Sequence, residues 1–398
     1  MIQSYIDWTP LILDHWKELL FKQCVTINNG RDYKNIESTE GVPVIGSGGQ
    51  FTYCTEEMYN GEVIFLGRKG TIDKPIYYKG PFWAVDTMFY AIPNKKFCAK
   101  YLYYLSTCFP FKGISTQTAL PSMTQTALKN VVVFTPSLAD QQRMVTYLDT
   151  KLSEIDHQVS LLTSKRDAYL RLKKSIINHA VTHGLNPNVK MKDSGIEWIG
   201  EVPEHWEVKR MKDIFFERKE LSLTGEEDLL SVSEFYGVAR RKDKMNSDEE
   251  FESRADSLVG YKICKAHDLV INIMLAWKTG LGISDNDGIV SPAYAVYEGR
   301  NIASHFYHYL LRSGMYVKEF KRHSKGIIDS RLRLYNDRFN NISAIYPPLP
   351  EQRAIATYLD DKCDKIDTIV SNLDKQISRY ADLKRSLIDE VITGKRAV

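Results

Sequence analysis

A long segment with helical periodicity occurs twice in this chain, and this repeat is the strongest constraint on its fold. From Ala139 to Thr182, apolar residues recur at an average spacing of about 3.5 residues, the period of a helix packed along a partner helix. The segment from Pro350 to Thr393 repeats the pattern at an offset of 211 residues, as between Leu148 and Leu359. We interpret the copies as a duplication and expect the two helices to pack on each other. The seam residues are Leu148, Ile155, Leu162, Tyr169 and Ile176 in the first copy, and Leu359, Ile366, Leu373, Tyr380 and Leu387 in the second.

The order of segments predicts how the two helices run. Each helix of this length would span roughly 66 Å at about 1.5 Å per residue. Globular sequence precedes the first helix and follows its expected stop at Gly184. The second helix must therefore return antiparallel in order to lie along the first, and Leu172 and Leu383 are assigned to the flanks of the shared stripe. The predicted plan has pseudo-twofold symmetry, with globular domains at 1–136 and 185–347 separated by helices at 137–184 and 348–398.

The composition of the 398 residues agrees with two globular domains and excludes several protein classes. A hydrophobic content of 43% with 26% charged residues is typical of a soluble protein. The longest apolar run, Leu269 to Trp277, is too short to cross a bilayer, and no N-terminal leader is seen. The six cysteines form no CxxC pair, so we expect neither a disulfide framework nor a zinc site. These features favour a cytoplasmic protein without a membrane partner.

The duplication extends into the globular domains. Ile6-Asp7-Trp8 and Asp14-His15-Trp16 reappear as Ile196-Glu197-Trp198 and Glu204-His205-Trp206. The tryptophans are expected to pack in the cores or against the helices. The second domain is longer, and we assign its surplus to the charged segment from Arg240 to Asp256.

Within each domain, short strands alternate with short helices. We predict aromatic-rich strands at Phe82 to Ile92 and at Val290 to Tyr297, each followed by an amphipathic helix, Ala99 to Thr107 or Ala303 to Ser313. A last strand meets Pro136 or Pro347. This mixture predicts the α+β class.

Two motifs carry a resemblance to a known family. One is the domain opening Ile196-Glu197-Trp198-Ile199-Gly200-Glu201-Val202-Pro203-Glu204-His205-Trp206. The other is Pro347-Pro348-Leu349-Pro350-Glu351-Gln352-Arg353, which leads into a helix containing Tyr358-Leu359-Asp360. Thr135-Pro136-Ser137-Leu138-Ala139-Asp140-Gln141-Gln142 is a degraded first copy, and the first domain has Thr9-Pro10 in place of Ile199-Gly200. With these motifs and their order, nearly the whole chain resembles the DNA-specificity subunit of type I restriction-modification systems.

The resemblance implies a function. Members of that family carry two tandem target-recognition domains, each reading one half of an asymmetric bipartite site in double-stranded DNA, while the helices set the spacing and dock partner subunits. It implies no catalysis by this chain. Two modification subunits would methylate adenine with S-adenosylmethionine, and restriction subunits would cleave DNA with ATP. S-adenosylmethionine, ATP and Mg2+ are thus expected on the partner subunits, with no cofactor on this chain.

Two other functional classes are weighed against this expectation. A fused enzyme would need its own nuclease or methylase site, but the sequence has no G-x-x-x-x-G-K-[ST] loop and no Asn/Asp-Pro-Pro-aromatic quartet. Gly46-Ser47-Gly48-Gly49 is more typical of a flexible loop than of a nucleotide site. His305 and His308 lack a third ligand for a metal. A coiled-coil adaptor that binds only proteins remains an alternative, since a net charge of +3 neither requires nor excludes DNA.

Candidate DNA contacts in the first domain are polar or basic residues in loops. Arg68 and Lys69 lie in a Gly-bounded loop from which arginine can bind guanine with two hydrogen bonds. The alternative for each candidate is a solvated turn or a side chain that satisfies its own loop. Expected phosphate or base contacts in the rest of this domain are Lys74, Lys79, Lys112, Gln117 and Gln125.

In the second domain the strongest basic run follows Tyr236. Charge runs are usually solvated, so this run is a candidate with solvation as the alternative. Arg331 and Arg333 alternate with leucines, as in a strand with one basic face. The candidates in this domain are Tyr236, Arg240, Arg241, Lys242, Lys244, Lys278, Lys325, Arg331 and Arg333.

Overall fold

The fold is taken from a computed structural model, which describes residues 2–3, 8, 11–116, 118, 121–244 and 257–398. The chain divides into two compact units. Unit 1 contains Met1–Thr163 and Asp374–Val398, and unit 2 contains Ser164–Leu373. Each unit therefore combines one globular domain with parts of both long helices.

Unit 1 is built around a seven-stranded sheet with the order β4-β10-β8-β9-β6-β7-β5, in which only β6 and β9 are parallel neighbours. β3 pairs with β11 beside it. Its strands are β1 Ile2–Gln3, β2 Leu11–Ile12, β3 Lys17–Leu20, β4 Val25–Asn29, β5 Glu37–Ser38, β6 Val42–Gly46, β7 Gly49–Cys54, β8 Tyr59–Gly67, β9 Ile76–Ala84, β10 Met88–Pro93 and β11 Val132–Thr135. Its short helices are α1 Phe21–Cys24, α2 Ala99–Thr107, α3 Phe111–Ile114 and α4 Gln125–Lys129.

Unit 2 has smaller sheets. A four-stranded sheet has the order β15-β22-β19-β20, and the remaining described strands form two-stranded pairs β12-β13, β14-β23, β16-β17 and β18-β21. The strands are β12 Met191–Asp193, β13 Glu201–Pro203, β14 Glu207–Arg210, β15 Phe215–Glu217, β16 Leu230–Ser233, β17 Gly237–Arg240, β18 Lys262–Cys264, β19 Leu269–Asn272, β20 Leu281–Ile283, β21 Gly288–Val290, β22 Tyr294–Gly299 and β23 Ser343–Tyr346. The short helices are α6 Met211–Ile214, α7 Ser304–Leu311, α8 Gly314–His323 and α9 Asn336–Asn340.

The two predicted aromatic-rich strands were each wrong in extent, because each is interrupted by a turn. Phe82 to Ile92 contains the end of β9 and most of β10, which are separated by Val85, Asp86 and Thr87, and aspartate favours turns. Val290 to Tyr297 contains the end of β21 and the start of β22. Pro292 lies between them and cannot donate a ladder hydrogen bond. The predicted helix at Ala99 to Thr107 is confirmed as α2.

The long helices are confirmed as α5, Leu138–His183, and α10, Leu349–Ile392. Within each unit they run antiparallel. In unit 1, Lys384 Nζ lies 2.6 Å from Asp156 Oδ1, and further along Arg396 Nη1 lies 3.5 Å from Tyr147 Oη. In unit 2, Lys173 Nζ lies 2.6 Å from Asp367 Oδ2. With these contacts and the mixed strand and helix content, the α+β fold with an antiparallel helix pair is confirmed.

The predicted seam residues face protein, but two flanking leucines do not. Six of the ten seam side chains are buried and the other four are partly buried. Leu172 and Leu383, by contrast, are 47% and 49% exposed. Both lie three residues after a seam tyrosine, whereas buried Leu152 lies four residues after its seam residue. The four-residue positions after the tyrosines are Lys173 and Lys384, which form the ion pairs between the helices.

All six cysteines are free thiols in this structure. Among the described residues, no helix is long and apolar enough to cross a membrane.

Candidate nucleic-acid interface

A buried glutamine fixes each long helix to a globular domain. Gln141, in the first turn of α5, accepts the backbone N–H of Cys98 at 2.9 Å and donates to the carbonyl of Pro136 at 3.1 Å. Gln352 accepts the N–H of Ala303 at 2.8 Å and donates to the carbonyl of Pro347 at 2.7 Å. Cys98 and Ala303 cap the N-termini of α2 and α7, so each glutamine satisfies a donor that the short helix leaves unpaired.

About two turns further along each long helix, an aspartate binds a tyrosine of the same short helix. Tyr104 Oη donates to Asp149 Oδ1 at 2.7 Å, and Tyr309 Oη donates to Asp360 Oδ1 at 2.8 Å. Burial and the neighbouring carboxylate raise the pKa of both phenols. The aspartate of the repeated Tyr-Leu-Asp motif therefore helps to hold each domain on the long helices. The sequence shows the repetition but not this role.

The C-terminal end of each long helix rests on a tryptophan from a domain opening. Gly184 and Gly394 both have a φ of +75°, and a Cβ added to either would lie 3.3 or 3.2 Å from the indole of Trp206 or Trp16. Trp206 is fully buried and Trp16 is 7% exposed. The expectation that these two tryptophans pack in the protein is confirmed. Trp8 and Trp198 are partly buried against Phe109 and Tyr316.

In unit 1 the structure brings some of the DNA candidates together at one edge of the sheet. Arg68 Nη1 donates to the carbonyl of Asp86 at 3.3 Å, and its guanidinium carbon lies 6.0 Å from the ring centroid of Phe89. Lys69 is exposed and its backbone bridges to Ser122. Gln125 begins the nearby helix α4.

Gln125 Nε2 donates to Asn29 Oδ1 at 3.0 Å, and Asn29 pairs with Phe89. Because Phe89 also lies under Arg68, these contacts join Arg68, Lys69 and Gln125 into one surface.

The other unit 1 candidates lie elsewhere. Lys74 and Lys112 line a groove beside Lys384 and Arg385 of α10. Lys79 pairs with Glu62 on the neighbouring strand at 3.2 Å. Gln117 lies outside the described residues.

In unit 2 the basic run begins at the end of the hairpin formed by β16 and β17. Arg240 and Lys242 both bind Asp228, at 3.3 and 2.7 Å, and the Lys242 ammonium holds the pKa of that carboxyl below its usual range. Arg241 is exposed, and Lys244 ends the 3-10 helix that Arg241 begins. Arg240 and Lys242 of this run therefore share one carboxylate. The rest of the predicted surplus, 245–256, lies outside the described residues.

The hairpin tip adjoins a second cationic loop. Tyr236 is 38% exposed at the tip, and its hydroxyl lies 2.9 Å from Ser231 Oγ. Thr279 Oγ1 donates to the carbonyl of Glu234 at 2.7 Å, which places Lys278 beside the tip. Lys278 and Lys321 lie 4.9 and 5.0 Å from the ring centroid of Trp277.

The predicted basic strand at 331–333 is wrong in form. Arg331 ends a 3-10 turn, and Arg333 pairs with Lys325 in a single bridge. Leu332 and Leu334 are buried because this segment packs on the core, so the alternation of buried and accessible side chains persists without a regular strand. Arg331 and Lys325 remain exposed.

Sequence reasoning missed two residues at the hairpin tip of unit 2. Phe235 is 91% exposed. Arg312, at the end of α7, donates hydrogen bonds to the carbonyls of Glu234, Phe235, Thr279 and Leu281. An apolar residue in a hairpin turn is a visible signal for Phe235, whereas nothing local in the sequence marks Arg312.

The two histidines of α7 have partners within the protein, Asp285 for His305 and the backbone N–H of Ile283 for His308. His305 Nε2 lies 3.2 Å from Asp285, which raises the pKa of His305, and His308 is half-buried, with its pKa lowered to about 4 by desolvation. Among the described residues, no group of three or more His, Cys, Asp or Glu side chains is arranged to hold a metal.

Comparison with known proteins agrees with this arrangement. The family described as type I restriction modification DNA specificity domain matches residues 14–161 and 203–379. The type I restriction enzyme MjaVIII specificity subunit of Methanocaldococcus jannaschii is 23% identical over 356 residues, covering 84% of this chain and 76% of that protein. The Escherichia coli EcoBI specificity subunit is 21% identical over 434 aligned residues, covering 99% and 89%.

Solved structures show the same fold. A chain from a study of complex assembly and conformational transition of the type I R-M system has a TM-score of 0.69 at 14% identity, covering 96% of this chain and 98% of that one. The HsdS subunit from Thermoanaerobacter tengcongensis has a TM-score of 0.50 at 13% identity, covering 97% and 98%. Because the family match spans most of both units, this chain belongs to the type I restriction modification DNA specificity domain family, whose members are non-catalytic DNA-recognition subunits.

Proposed function

We propose that the domain of each unit reads one half of an asymmetric, bipartite site in double-stranded DNA. The observation that carries this proposal is a contrast within the duplication. The glutamine, aspartate, tyrosine and tryptophan contacts to the helices recur in both units, while the sheets and exposed loops differ. Two domains that are attached to the helices by equivalent contacts, but expose different surfaces, are suited to recognising two different half-sites.

The proposed contact surfaces are the clusters described above. In unit 1, Arg68, Lys69 and Gln125 would face the DNA, and in unit 2 the hairpin tip with Lys278 would do so. Exposed lysines neutralise phosphates, while Arg68 and Gln125 have donors suited to base edges.

A domain exchange tests the two-reader proposal. Residues 1–135 are replaced by the corresponding domain of another family member, and the preferred sites are selected from random duplexes in the presence of the modification partner. One half of the selected site should change and the other should stay. A change in both halves, or selection without any sequence preference, would contradict the proposal; the second outcome would favour a protein-binding adaptor.

We further propose that α5 and α10 set the unread gap between the half-sites. Both helices continue from one unit into the other, so their length is suited to fixing the separation of the readers. Insertion of one helical turn near Thr163 together with one near Asp374 should lengthen the gap in selected sites and leave both half-sites unchanged. An unchanged gap would contradict this role.

The helices are also the proposed docking surface for two copies of a modification subunit. Leu172 and Leu383 are equivalent, identical and exposed, and so are Ser175 and Ser386 one turn further on. An exposed leucine that recurs at equivalent positions, without contributing to the helix seam, suits a partner that binds twice.

The docking proposal has a matched control. Leu172→Glu and Leu383→Glu should each remove one copy of the modification subunit, and the double variant both copies, as counted by native mass spectrometry. Leu161 is equally exposed, at 51%, but its equivalent is Asn372, so Leu161→Glu should retain both copies. Retention of two copies by the double variant would contradict the docking surface.

We propose that S-adenosylmethionine, ATP and Mg2+ bind the modification and restriction subunits, in the cytoplasm, and not this chain. The missing phosphate-loop and methyltransferase motifs support this assignment. Calorimetric titration of the isolated chain with S-adenosylmethionine or Mg-ATP should give no binding heat, whereas the assembled complex should bind both.

A further inference from the structure

At the hairpin tip of unit 2, Phe235 exposes its aromatic ring to solvent, and hydrogen bonds from the rest of the domain fix the backbone of the tip. Phe235 is 91% exposed, among the most exposed large apolar side chains in the described part of the chain. A phenylalanine usually gains stability by burial, so a ring left in solvent on a fixed turn calls for a binding partner.

Arg312 fixes this turn. Its Nη1 donates to the carbonyls of Thr279 and Leu281 at 2.7 and 2.6 Å, and its Nη2 donates to those of Glu234 and Phe235 at 3.0 and 3.1 Å. The guanidinium therefore ties the hairpin tip to the loop before β20. Thr279 Oγ1 adds a second bond to Glu234.

The base of the hairpin is also closely packed. Gly237 has a φ of +82°, and a Cβ added there would lie 3.0 Å from His308 Cε1. A Cβ added at Gly282 would lie 3.1 Å from the Cα of Gly237. Because neither glycine has a side chain, the hairpin packs directly against β20 and against His308 of α7, which limits movement of the backbone that carries Phe235.

The charge around the tip favours a nucleic acid over an apolar partner. Lys278 adjoins Thr279 at the tip, and Lys321, which also pairs with Asp329 at 2.9 Å, shares the Trp277 ring with Lys278. An exposed aromatic ring on the same surface as cations can stack on a DNA base while the cations bind the phosphate backbone.

We propose that Phe235 stacks on a base of the half-site read by unit 2 and that Arg312 is the residue that positions it. This inference rests on the proposed DNA-reading function and assigns it a specific side chain. Phe235 makes the base contact, and Arg312 acts only through the backbone of the tip.

The first test measures DNA affinity of the full chain assembled with its modification subunits. Phe235→Ala should weaken binding of the selected target on the order of 10- to 100-fold, as expected for loss of one stacked base. Phe235→Trp should stay within a few-fold of wild type because it keeps an aromatic face, while Phe235→Leu should behave like alanine. Leu223 is 89% exposed in the same domain, and Leu223→Ala should bind like wild type.

A fluorescent base locates the contact. Target duplexes carrying 2-aminopurine at successive positions should show one position in the second half-site whose fluorescence changes with wild type and not with Phe235→Ala. Arg312→Lys keeps the charge but loses the two-pronged donor, so it should reproduce the affinity loss and add little in the Phe235→Ala background. If Arg312 only stabilised the fold, Arg312→Lys would lower the DNA affinity of the Phe235→Ala variant further.

Failure of this inference is distinguishable from failure of the proposed function. If wild type selects a bipartite site and Phe235→Ala binds it equally well, the stacking role is overturned and the DNA-reading function stands. If Phe235→Ala loses modification subunits and keeps its DNA affinity, the ring contacts protein and the inference is likewise overturned. If wild type shows no sequence preference, the proposed function itself fails.

Discussion

The two units differ least where they contact the long helices and most where they are free of them. Unit 1 carries a seven-stranded sheet, whereas the largest described sheet of unit 2 has four strands and its other described strands form two-stranded pairs. In both units, however, a buried glutamine, an aspartate-tyrosine pair and a glycine on an indole form the same contacts. After the duplication, the contacts between each domain and the long helices have therefore changed less than the sheets and loops of the domain.

One contact shows that the interaction is retained even where the residue is not. Tyr101 Oη donates to the carbonyl of Phe134 at 3.4 Å, and Tyr307 Oη donates to the equivalent carbonyl of Ile345 at 3.1 Å. The position equivalent to Tyr101 is Phe306, so the hydroxyl reaches the last strand from a neighbouring place on the short helix. A substitution at one position has been matched by its neighbour.

The largest expected effect comes from the buried glutamines. Gln141→Leu and Gln352→Leu each leave an N–H and a carbonyl unpaired, and each unpaired group costs about 1–3 kcal/mol. We expect a loss of about 2–4 kcal/mol in the stability of the unit concerned, read from urea unfolding and from amide exchange of that unit. Gln142→Leu, at the exposed neighbouring position, should change stability by less than about 0.5 kcal/mol. If only one of these two substitutions lowered the stability of its unit strongly, the two glutamines would not have equivalent roles.

The next prediction is that the stability of unit 2 depends on pH through His308, which has no titrating counterpart in unit 1. His308 of unit 2 has a pKa lowered to about 4, whereas Tyr103 at the equivalent position of unit 1 stays neutral in acid. Below about pH 6.5 the unfolded imidazole binds a proton that the folded one does not, so acid favours unfolding.

Between pH 7 and pH 5 this histidine should destabilise unit 2 by about 2 kcal/mol. His305 acts in the opposite sense, because its pKa is raised and its contribution is lost as pH rises. The pH dependence of His308→Gln, which retains His305, should be flatter than that of wild type by this amount. Equal slopes for wild type and variant would contradict the assignment.

The glycines at the helix ends should give a smaller effect. A left-handed alanine costs about 1–2 kcal/mol, so Gly184→Ala and Gly394→Ala should both lower the melting temperature. Gly184→Ala should cost more, because its Cβ would lie 2.9 Å from Glu351 Oε1 and disturb the carboxylate that binds Trp206. Gly113→Ala, where an added Cβ meets nothing within 4 Å, is the control and should be neutral or slightly stabilising.

The smallest effect concerns the ion pairs between the helices. Lys173–Asp367 and Lys384–Asp156 are formed by equivalent residues at 2.6 Å, with largely exposed carboxylates. Lys173→Met and Lys384→Met should each cost only about 0.5 kcal/mol, and the cost should shrink in high salt. The measurement is the urea midpoint at low and high ionic strength. A cost above about 2 kcal/mol would show that these pairs are not ordinary surface contacts.

The sequence predicts the repeated parts of the molecule better than the unrepeated parts. The helix pair follows from its period, and Trp16 and Trp206 follow from their repetition. Leu172 and Leu383 were wrongly assigned to the apolar stripe. A leucine three residues after a seam residue gives nearly the same sequence pattern as one four residues after it, although only the latter position faces the partner helix. Arg312 was missed because its partners are four carbonyls that only tertiary packing brings together.

The candidate site was harder to predict than the fold for the same reason. Arg68, Lys69 and Gln125 meet through sheet pairing and a side-chain bond to Asn29 that no local spacing encodes. Arg240 and Lys242 were recognised as basic, but their shared partner Asp228 was not. A sequence shows how many basic residues a segment has, but only the tertiary structure shows which of them pair with a carboxylate.

The C-terminal part of α10 belongs to the core of unit 1, where Leu387, Val391 and Ile392 are buried with Leu148 and Ile155. The first globular domain, which is translated before unit 2, therefore lacks part of its interior until residues 387–392 have been made. Unit 2 has all of its residues earlier, by Leu373. Synthesis should thus complete the second unit first, and a chain that stops at residue 373 should expose an apolar groove on the first.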